Sequence, residues 1–489
     1  MARIKQKSES LSDDTFLKNT LRTYNPWWED RGFAWNNPSF KRDHFALGVR
    51  HFGEDHGLAL LINGPRRVGK TTMMRQLMEY LITEKAVDSK RIFFFSLDDP
   101  FIQQMPVNEQ GGAFEKLLAG WEESLGKKLS QVNKTVYCFL DEVQRLPNWE
   151  LYIKRYVDLH YPIRFVVSGS ASHTIFRKSL ESLLGRLVEI SMPPFSFREW
   201  VRYHHPHYAD TLKILAENRV DLRDRAAVID TVYGIIANLG ADAVAEFGEF
   251  ANQYAEAGGF PQLWDLDPVA RAQFVDLQFV QRVTLEDLRL IKEIRRPEIF
   301  HQFLRYAFAR TGEEYNLEEL AMKIKTTRVT LSGALPLLLQ TELIRKVERF
   351  TGKPVRLRTT HAKLYAADTM LYEAIVKSAA VLDGPEKGHI AETLAFNVLC
   401  RFAGITDISY FRSADGLREV DFVIRIGRSL IPVEVKYRKI IKKSDTEHIH
   451  YFLDEYTSES TFGIVLTRHE LDMETNILKI PLGIFLLLG

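Results

Sequence analysis

Between residues 58 and 167 the chain repeats short apolar runs without polar alternation: LALLIN (58–63), RIFFFSL (91–97), VYCFL (136–140) and IRFVV (163–167). Polar stretches with helical spacing, such as NWELYIKRYVDLH, lie between them. A strand that is apolar at every position is buried on both faces, so the pattern predicts a parallel sheet covered by helices on each side. After MPPFSF (192–197) the pattern changes to long helical stretches through Arg296, interrupted by a glycine turn at AGGFPQLW (257–264). This predicts a helical lid or connector. The next segment reads as helix (PEIFHQFLRYAFA), helix (NLEELAMKI), a TT break, helix (RVTLSGALPLLLQ) and a strand pair, ELIRKVERF and VRLRTT, around TGKP. That order is the one a winged helix-turn-helix takes. From Thr369 two helical stretches lead to an apolar hairpin, REVDFVIRIGRSLIPVEVKYRK (418–439), and the apolar IPLGIFLLLG predicts a buried last strand. The pattern divides the chain into an aromatic-rich segment (1–56), an α/β core (57–195), a helical connector (196–296), a winged helix (297–368) and a C-terminal α/β domain (369–489).

At 489 residues the chain exceeds what one core serves, in keeping with several units. Lys plus Arg number 65 against 64 Asp plus Glu, so no global field attracts nucleic acid and local patches must do so. Two such patches exist. Residues 425–443 carry a net +6 and residues 341–361 a net +4. Only Cys138 and Cys400 occur, both inside apolar runs, which points away from a disulfide framework or a cysteine metal site. The N-terminus has no signal-like apolar stretch and the apolar tail is too short to span a bilayer, so a cytoplasmic protein without a membrane segment is expected. The aromatic-rich NPWWEDRGFAW (25–35) reads as core or interface.

Gly64, Pro65, Arg66, Arg67, Val68, Gly69, Lys70, Thr71 and Thr72 match GxxxxGK[ST] between a predicted strand and a predicted helix, the context that makes this a phosphate-binding loop. Backbone N–H groups would cradle the phosphates of ATP, Lys70 would reach the β and γ phosphates, and Thr71 would bind Mg²⁺. The run VYCFL ends in Asp141, expected in the Mg²⁺ shell, and Glu142, expected to polarise the attacking water. The next strand ends in Ser168, Gly169 and Ser170, where a hydroxyl could hold water or the γ-phosphate; turn chemistry is the alternative. Arg186 could neutralise transition-state charge on a neighbouring subunit's nucleotide, or be a solvated surface arginine.

In the hairpin, a two-residue turn at Gly427-Arg428 sets Asp421 directly opposite Glu434, with Lys436 on the same face. Facing carboxylates about 5 Å apart repel unless a counter-ion serves both, so the pair suits a second divalent metal or a phosphate. In the predicted recognition helix only Arg328 and Thr330 are polar near the start, so backbone or shape recognition of DNA is expected over a base code.

With these motifs in place, residues 57–200 resemble an ATPase domain of the AAA+ superfamily. The likeness is to a prokaryotic group carrying LDEVQ (Leu140 to Gln144), a GS step (Gly169-Ser170), GR (Gly185-Arg186) and a PxSFxE-like stretch (Pro194 to Glu199), the last with Phe195 where such sequences often have Leu. It continues through GGFP (258–261) to the C-terminal EVDF and EVK. The hairpin in turn resembles the PD-(D/E)xK, restriction-endonuclease-like fold, in which a preceding helix adds an acid; Glu392 occupies that place. These resemblances imply a homo-oligomeric ring, such as a hexamer, with active sites at subunit interfaces. The function expected is an ATP-driven motor that remodels or translocates junction or branched DNA, with metal-dependent cleavage open. The alternative is a slow ATP-dependent switch, a regulator or defence sensor, whose C-terminal domain binds DNA or protein without cutting.

Overall fold

The computed structural model describes residues 15–30, 32–54, 58–105, 107–169, 183–217, 220–288, 294–352, 362–376, 387–438, 440–473 and 476–489. The chain divides into two compact units, Met1–Met192 and Pro193–Gly489. The segments expected as connector, winged helix and C-terminal domain therefore lie within one unit.

The first unit is built on β1 (Ala59–Asn63), β2 (Ile92–Ser96), β3 (Val136–Asp141), β4 (Ile163–Ser168) and β5 (Leu187–Ser191), in the order β2-β3-β4-β1-β5, with every pairing parallel. The first four coincide with the unalternated apolar runs, and β1 is buried along its whole length. The aromatic-rich segment is core: Trp27 and Trp28 are buried and both donate to the Ile92 carbonyl. Beside them the Asn25 side-chain amide pairs with both the N–H and the C=O of Phe94, covering the β2 edge as a neighbouring strand would.

The second unit holds β6 (Ile344–Arg349), β7 (Ala362–Ala366), β8 (Asp407–Arg412), β9 (Glu419–Ile426), β10 (Ser429–Lys436), β11 (Gly463–Thr467) and β12 (Ile477–Pro481), in the order β12-β11-β10-β9-β8-β6-β7. One face packs on the helices Lys387–Leu399 and Ala243–Ala257 through Phe247, Leu394, Phe422 and Leu478. The other packs on the helix Glu447–Glu455 through Phe350, Val423 and Phe452. Helices of the expected connector thus share a core with the C-terminal strands.

The three helices expected of the helix-turn-helix are present, at Pro297–Ala309, Leu317–Lys323 and Arg328–Leu339. The strand after them departs from expectation. β6 pairs in parallel with β8, Glu348 facing Ser409, so it belongs to the seven-stranded sheet and the helices do not end in a free-standing wing. Its antiparallel partner is β7; the expected VRLRTT (355–360) lies outside the described residues. The apolar tail also differs: after β12 the chain turns into a short helix, Leu482–Phe485, buried against Phe247. Among the described residues no single helix is long and apolar enough to cross a membrane.

Candidate nucleotide site and C-terminal acid cluster

The phosphate loop joins the end of β1 to the helix Lys70–Thr83. Gly64 (φ 143°) and Gly69 (φ 95°) adopt backbone that other residues avoid, and Arg67 is held at φ 70°. Lys70 is buried and its ammonium donates to the carbonyls of Gly64 (2.9 Å) and Pro65 (2.8 Å), folding it back over its own loop. Arg42, far upstream, is also buried and donates to the Val68 carbonyl at 3.0 Å, supporting the loop from behind. No local pattern in the sequence marks that role.

The acidic strand end lies beside the loop. Thr71 Oγ1 donates to Asp141 Oδ2 at 2.6 Å, and Ser168 Oγ donates to Asp141 Oδ1. Hard oxygen donors of this kind suit Mg²⁺, so Thr71 and Asp141 fit the ion expected here. Glu142 takes a left-handed conformation (φ 54°), and its carboxylate accepts from Gln144 Nε2. Burial raises the Glu142 carboxyl above the ordinary range, against the pull of Lys70. Gln144 is the last residue of LDEVQ, and no local pattern in the sequence marks its contact with Glu142. Ser170 lies outside the described residues. Arg186 precedes β5 and binds Asp158 of its own chain, half-exposed.

In the second unit the hairpin has the register expected of a Gly427-Arg428 turn: Ser429 faces Ile426 and Val433 faces Phe422. Next in line, Asp421 N–H donates to Glu434 Oε2 at 3.2 Å and Val435 N–H to Asp421 Oδ2 at 2.8 Å. Both acids are buried, and Lys436 Nζ donates to Glu434 Oε1. Burial and the Asp421 charge push Glu434 up to about 8, against Lys436. Burial and Asp421 likewise raise Glu392 to about 8, against Lys363. Lys363, missed in the sequence, is a lone cation in the apolar strand β7 and pairs with Glu419 at 2.7 Å. Burial pulls its ammonium down, but Glu392, Asp421 and Glu419 outweigh that and raise it. Among the described residues no three His, Cys, Asp or Glu side chains form a metal-holding group. Asp421 and Glu434 alone supply too few oxygens for a hard divalent ion.

Much of the local basic charge is engaged internally. Lys346 binds Glu348, Arg349 donates to the carbonyls of Arg412 (2.7 Å) and Ser413 (3.0 Å), and Arg438 pairs with Asp445 at 3.1 Å. Arg428, Lys442 and Lys443 are exposed, as are Thr330 and Arg328, the last paired with Glu318 at 2.9 Å. Lys353, Arg356, Arg358 and Lys439 lie outside the described residues.

Residues 56–201, which carry the loop and the acidic strand end, match a family model described as an AAA domain. C-terminal to that stretch, residues 249–380 and 387–485 match two models described as domains of unknown function, DUF8612 and DUF4143. The likeness to known proteins extends through both units. An uncharacterized protein of Haemophilus influenzae is 21% identical over 436 residues, covering 88% of this chain and 95% of that protein. Among solved structures, the Holliday junction branch migration motor RuvB of Thermotoga maritima aligns with a TM-score of 0.26 at 16% identity, over 62% of this chain and 86% of its own. The Aeropyrum pernix ORC1 protein in complex with DNA aligns with a TM-score of 0.29 at 14% identity, over 70% of this chain and 94% of its own.

Proposed function

We propose that the chain hydrolyses ATP at its AAA domain and uses the cycle to act on DNA held by the second unit, with junction or branched DNA as the substrate class. The observation that carries the ATPase reading is the convergence of Lys70, Thr71 and Ser168 on the loop and on Asp141, with Glu142 beside them. Mg²⁺, when bound with ATP, supplies charge neutralisation on the phosphates. The chain's own groups do the rest: Lys70 exchanges its carbonyl partners for phosphate oxygens, Ser168 fixes the Asp141 carboxylate, and Glu142 takes a proton from water. Its environment suits that role, because burial makes the carboxyl a better base than an exposed one.

DNA as partner is supported by the exposed Arg328, Thr330, Arg428, Lys442 and Lys443, and by the acid and lysine pattern Asp421, Glu434, Lys436 with Glu392 nearby. A second divalent ion there would need oxygens from DNA and water to complete its shell. A switch that turns over slowly is the second reading, favoured by one observation: Lys346, Arg349, Lys436 and Arg438 are engaged within the protein. The test is incubation of the protein with labelled four-way junction, duplex and single-stranded DNA, with Mg²⁺ or Mn²⁺, with and without ATP, beside Glu434→Ala and Glu142→Gln. Remodelling that needs ATP and disappears in Glu142→Gln supports the motor. Cleavage lost in Glu434→Ala adds a nuclease. Equal, negligible binding of all three DNAs ends the DNA reading and leaves the switch.

A further inference from the structure

Lys363 breaks the pattern of the strand that carries it. β7 reads Ala-Lys-Leu-Tyr-Ala and is buried along its whole length, and Lys363 itself is only 6% exposed. An ammonium taken out of water without a partner is strongly disfavoured and gives up its proton instead. A lysine kept charged at this position is therefore kept by the acids it meets.

Those acids come from two other elements of the same unit. Glu419, at the start of β9, receives the ammonium at 2.7 Å. Asp421 stands two residues along β9, on the same face by the period of a strand, and Glu392 lies on the helix Lys387–Leu399; the charges of both act on Lys363. The ammonium also lies 5.3 Å from the centre of the Tyr410 ring, whose face attracts a cation. Carboxylates gathered away from water need positive charge among them, and a divalent ion or an ammonium can supply it. The oxygens here are arranged for the ammonium. Glu419 Oε1 takes Lys363, and its Oε2 takes Arg412 Nε at 3.0 Å. Asp421 Oδ2 accepts from the Val435 N–H at 2.8 Å. Glu434 Oε1 accepts from Lys436, and its Oε2 from the Asp421 N–H at 3.2 Å. Glu392 Oε2 faces Tyr365 Oη at 3.4 Å. A hard divalent ion asks for about six oxygens aimed at one point, whereas these are aimed at donors of the chain itself.

We propose that Lys363 is the resident counter-ion of the C-terminal acid cluster: it lets Asp421 lie buried beside Glu392 with no metal between them, and a divalent ion enters only where Lys363 is removed. The inference goes beyond the reading above and holds whether or not the second unit meets DNA. Its consequence there is that the hairpin acids do not cut by a metal-dependent route.

The experiment uses the full chain without nucleotide and Mn²⁺ as the probe. Bound ions are counted by electron paramagnetic resonance, and the thermal unfolding midpoint is read with and without the ion. Ions held by the nucleotide site are common to every variant, so the cluster is read through Asp421→Asn, which keeps an oxygen for the Val435 N–H. Wild type and Asp421→Asn are expected to bind the same number of ions. Lys363→Met, similar in length but uncharged, is expected to lower the midpoint by roughly 5 °C or more, to take up a further Mn²⁺, and to regain part of the lost stability with it. Adding Asp421→Asn to Lys363→Met should abolish both gains. Lys363→Arg keeps the charge and should bind no further ion. A Mn²⁺ in wild type that Asp421→Asn removes, or Mn²⁺-dependent cleavage that Glu434→Ala removes, overturns the proposal, and does so even if Lys363→Met fails to fold. A folded Lys363→Met that binds no more Mn²⁺ than wild type overturns it as well.

Discussion

Glu142 is held at φ 54°, a left-handed backbone that costs a non-glycine residue roughly 1–2 kcal/mol, and it follows directly on the aspartate that Thr71 and Ser168 grip. Strain kept at a site is usually kept for the geometry it gives. If the carboxylate is the base, Glu142→Gln should lower turnover by about 10²- to 10⁴-fold while ATP affinity changes little. Phosphate release and equilibrium nucleotide binding measured on the same preparation check this; equal losses in both would mean that the side chain only holds the loop. Asp368, raised by burial as Glu142 is, gives a prediction about stability. Burial raises its carboxyl to about 6, against the Gly259 and Met370 N–H groups, from an unfolded value of 3.8. Between about pH 4 and 6 the folded chain then binds more protons than the unfolded one, so this group's contribution to stability falls as pH rises through that window. A carboxylate with a depressed value does the reverse. Urea midpoints taken across the window for wild type and Asp368→Asn should converge or diverge along that slope; parallel curves would show that Asp368 is ionised throughout.

Edges and long-range pairings decide the elements. β2 is the outer strand of its sheet, and Asn25 closes it with one amide that serves both backbone groups of Phe94 while fully buried. Asn25→Ala leaves a buried N–H and a buried C=O without that partner, each worth about 1–3 kcal/mol, so the first unit should lose roughly 2–5 kcal/mol in urea unfolding. A loss below 1 kcal/mol would mean that water enters and replaces the amide. What could be read from the sequence follows the same division. The strands β1 to β4 and the hairpin register depend on local signals: unbroken apolar runs, and a turn whose length fixes which residues face each other. β6 could not be placed that way. Its two buried residues, Ile344 and Val347, are separated by two polar ones instead of alternating with them, and nothing within it specifies parallel pairing with β8, some sixty residues on. Lys363 and Arg42 were hidden for a related reason, since their partners, Glu419 and the Val68 carbonyl, are distant in sequence.

At the scale of the molecule, the direction of the parallel strands limits what Arg186 can do. Ala59 faces Leu187 and Asn63 faces Ser191, so Arg186 sits at the start of β5 while the phosphate loop leaves from the end of β1. Five residues of strand separate the two levels, about 16 Å at 3.3 Å per residue. Arg186 is therefore too far to touch a nucleotide on its own loop, and any role in hydrolysis requires another subunit's site. Within the chain it binds Asp158, which it would have to exchange for phosphate oxygens. A mixing experiment decides the matter. Arg186→Ala and Glu142→Gln should each lower turnover at least 10-fold alone. Combined, they should recover a substantial fraction of wild-type turnover, because some interfaces then pair an intact Glu142 with an intact Arg186. Asp158→Ala serves as the control for a structural pair: it should leave turnover near wild type if Arg186 acts across subunits. Turnover that stays low on mixing, with Arg186→Ala and Asp158→Ala equally impaired, would assign the arginine to its own chain's packing.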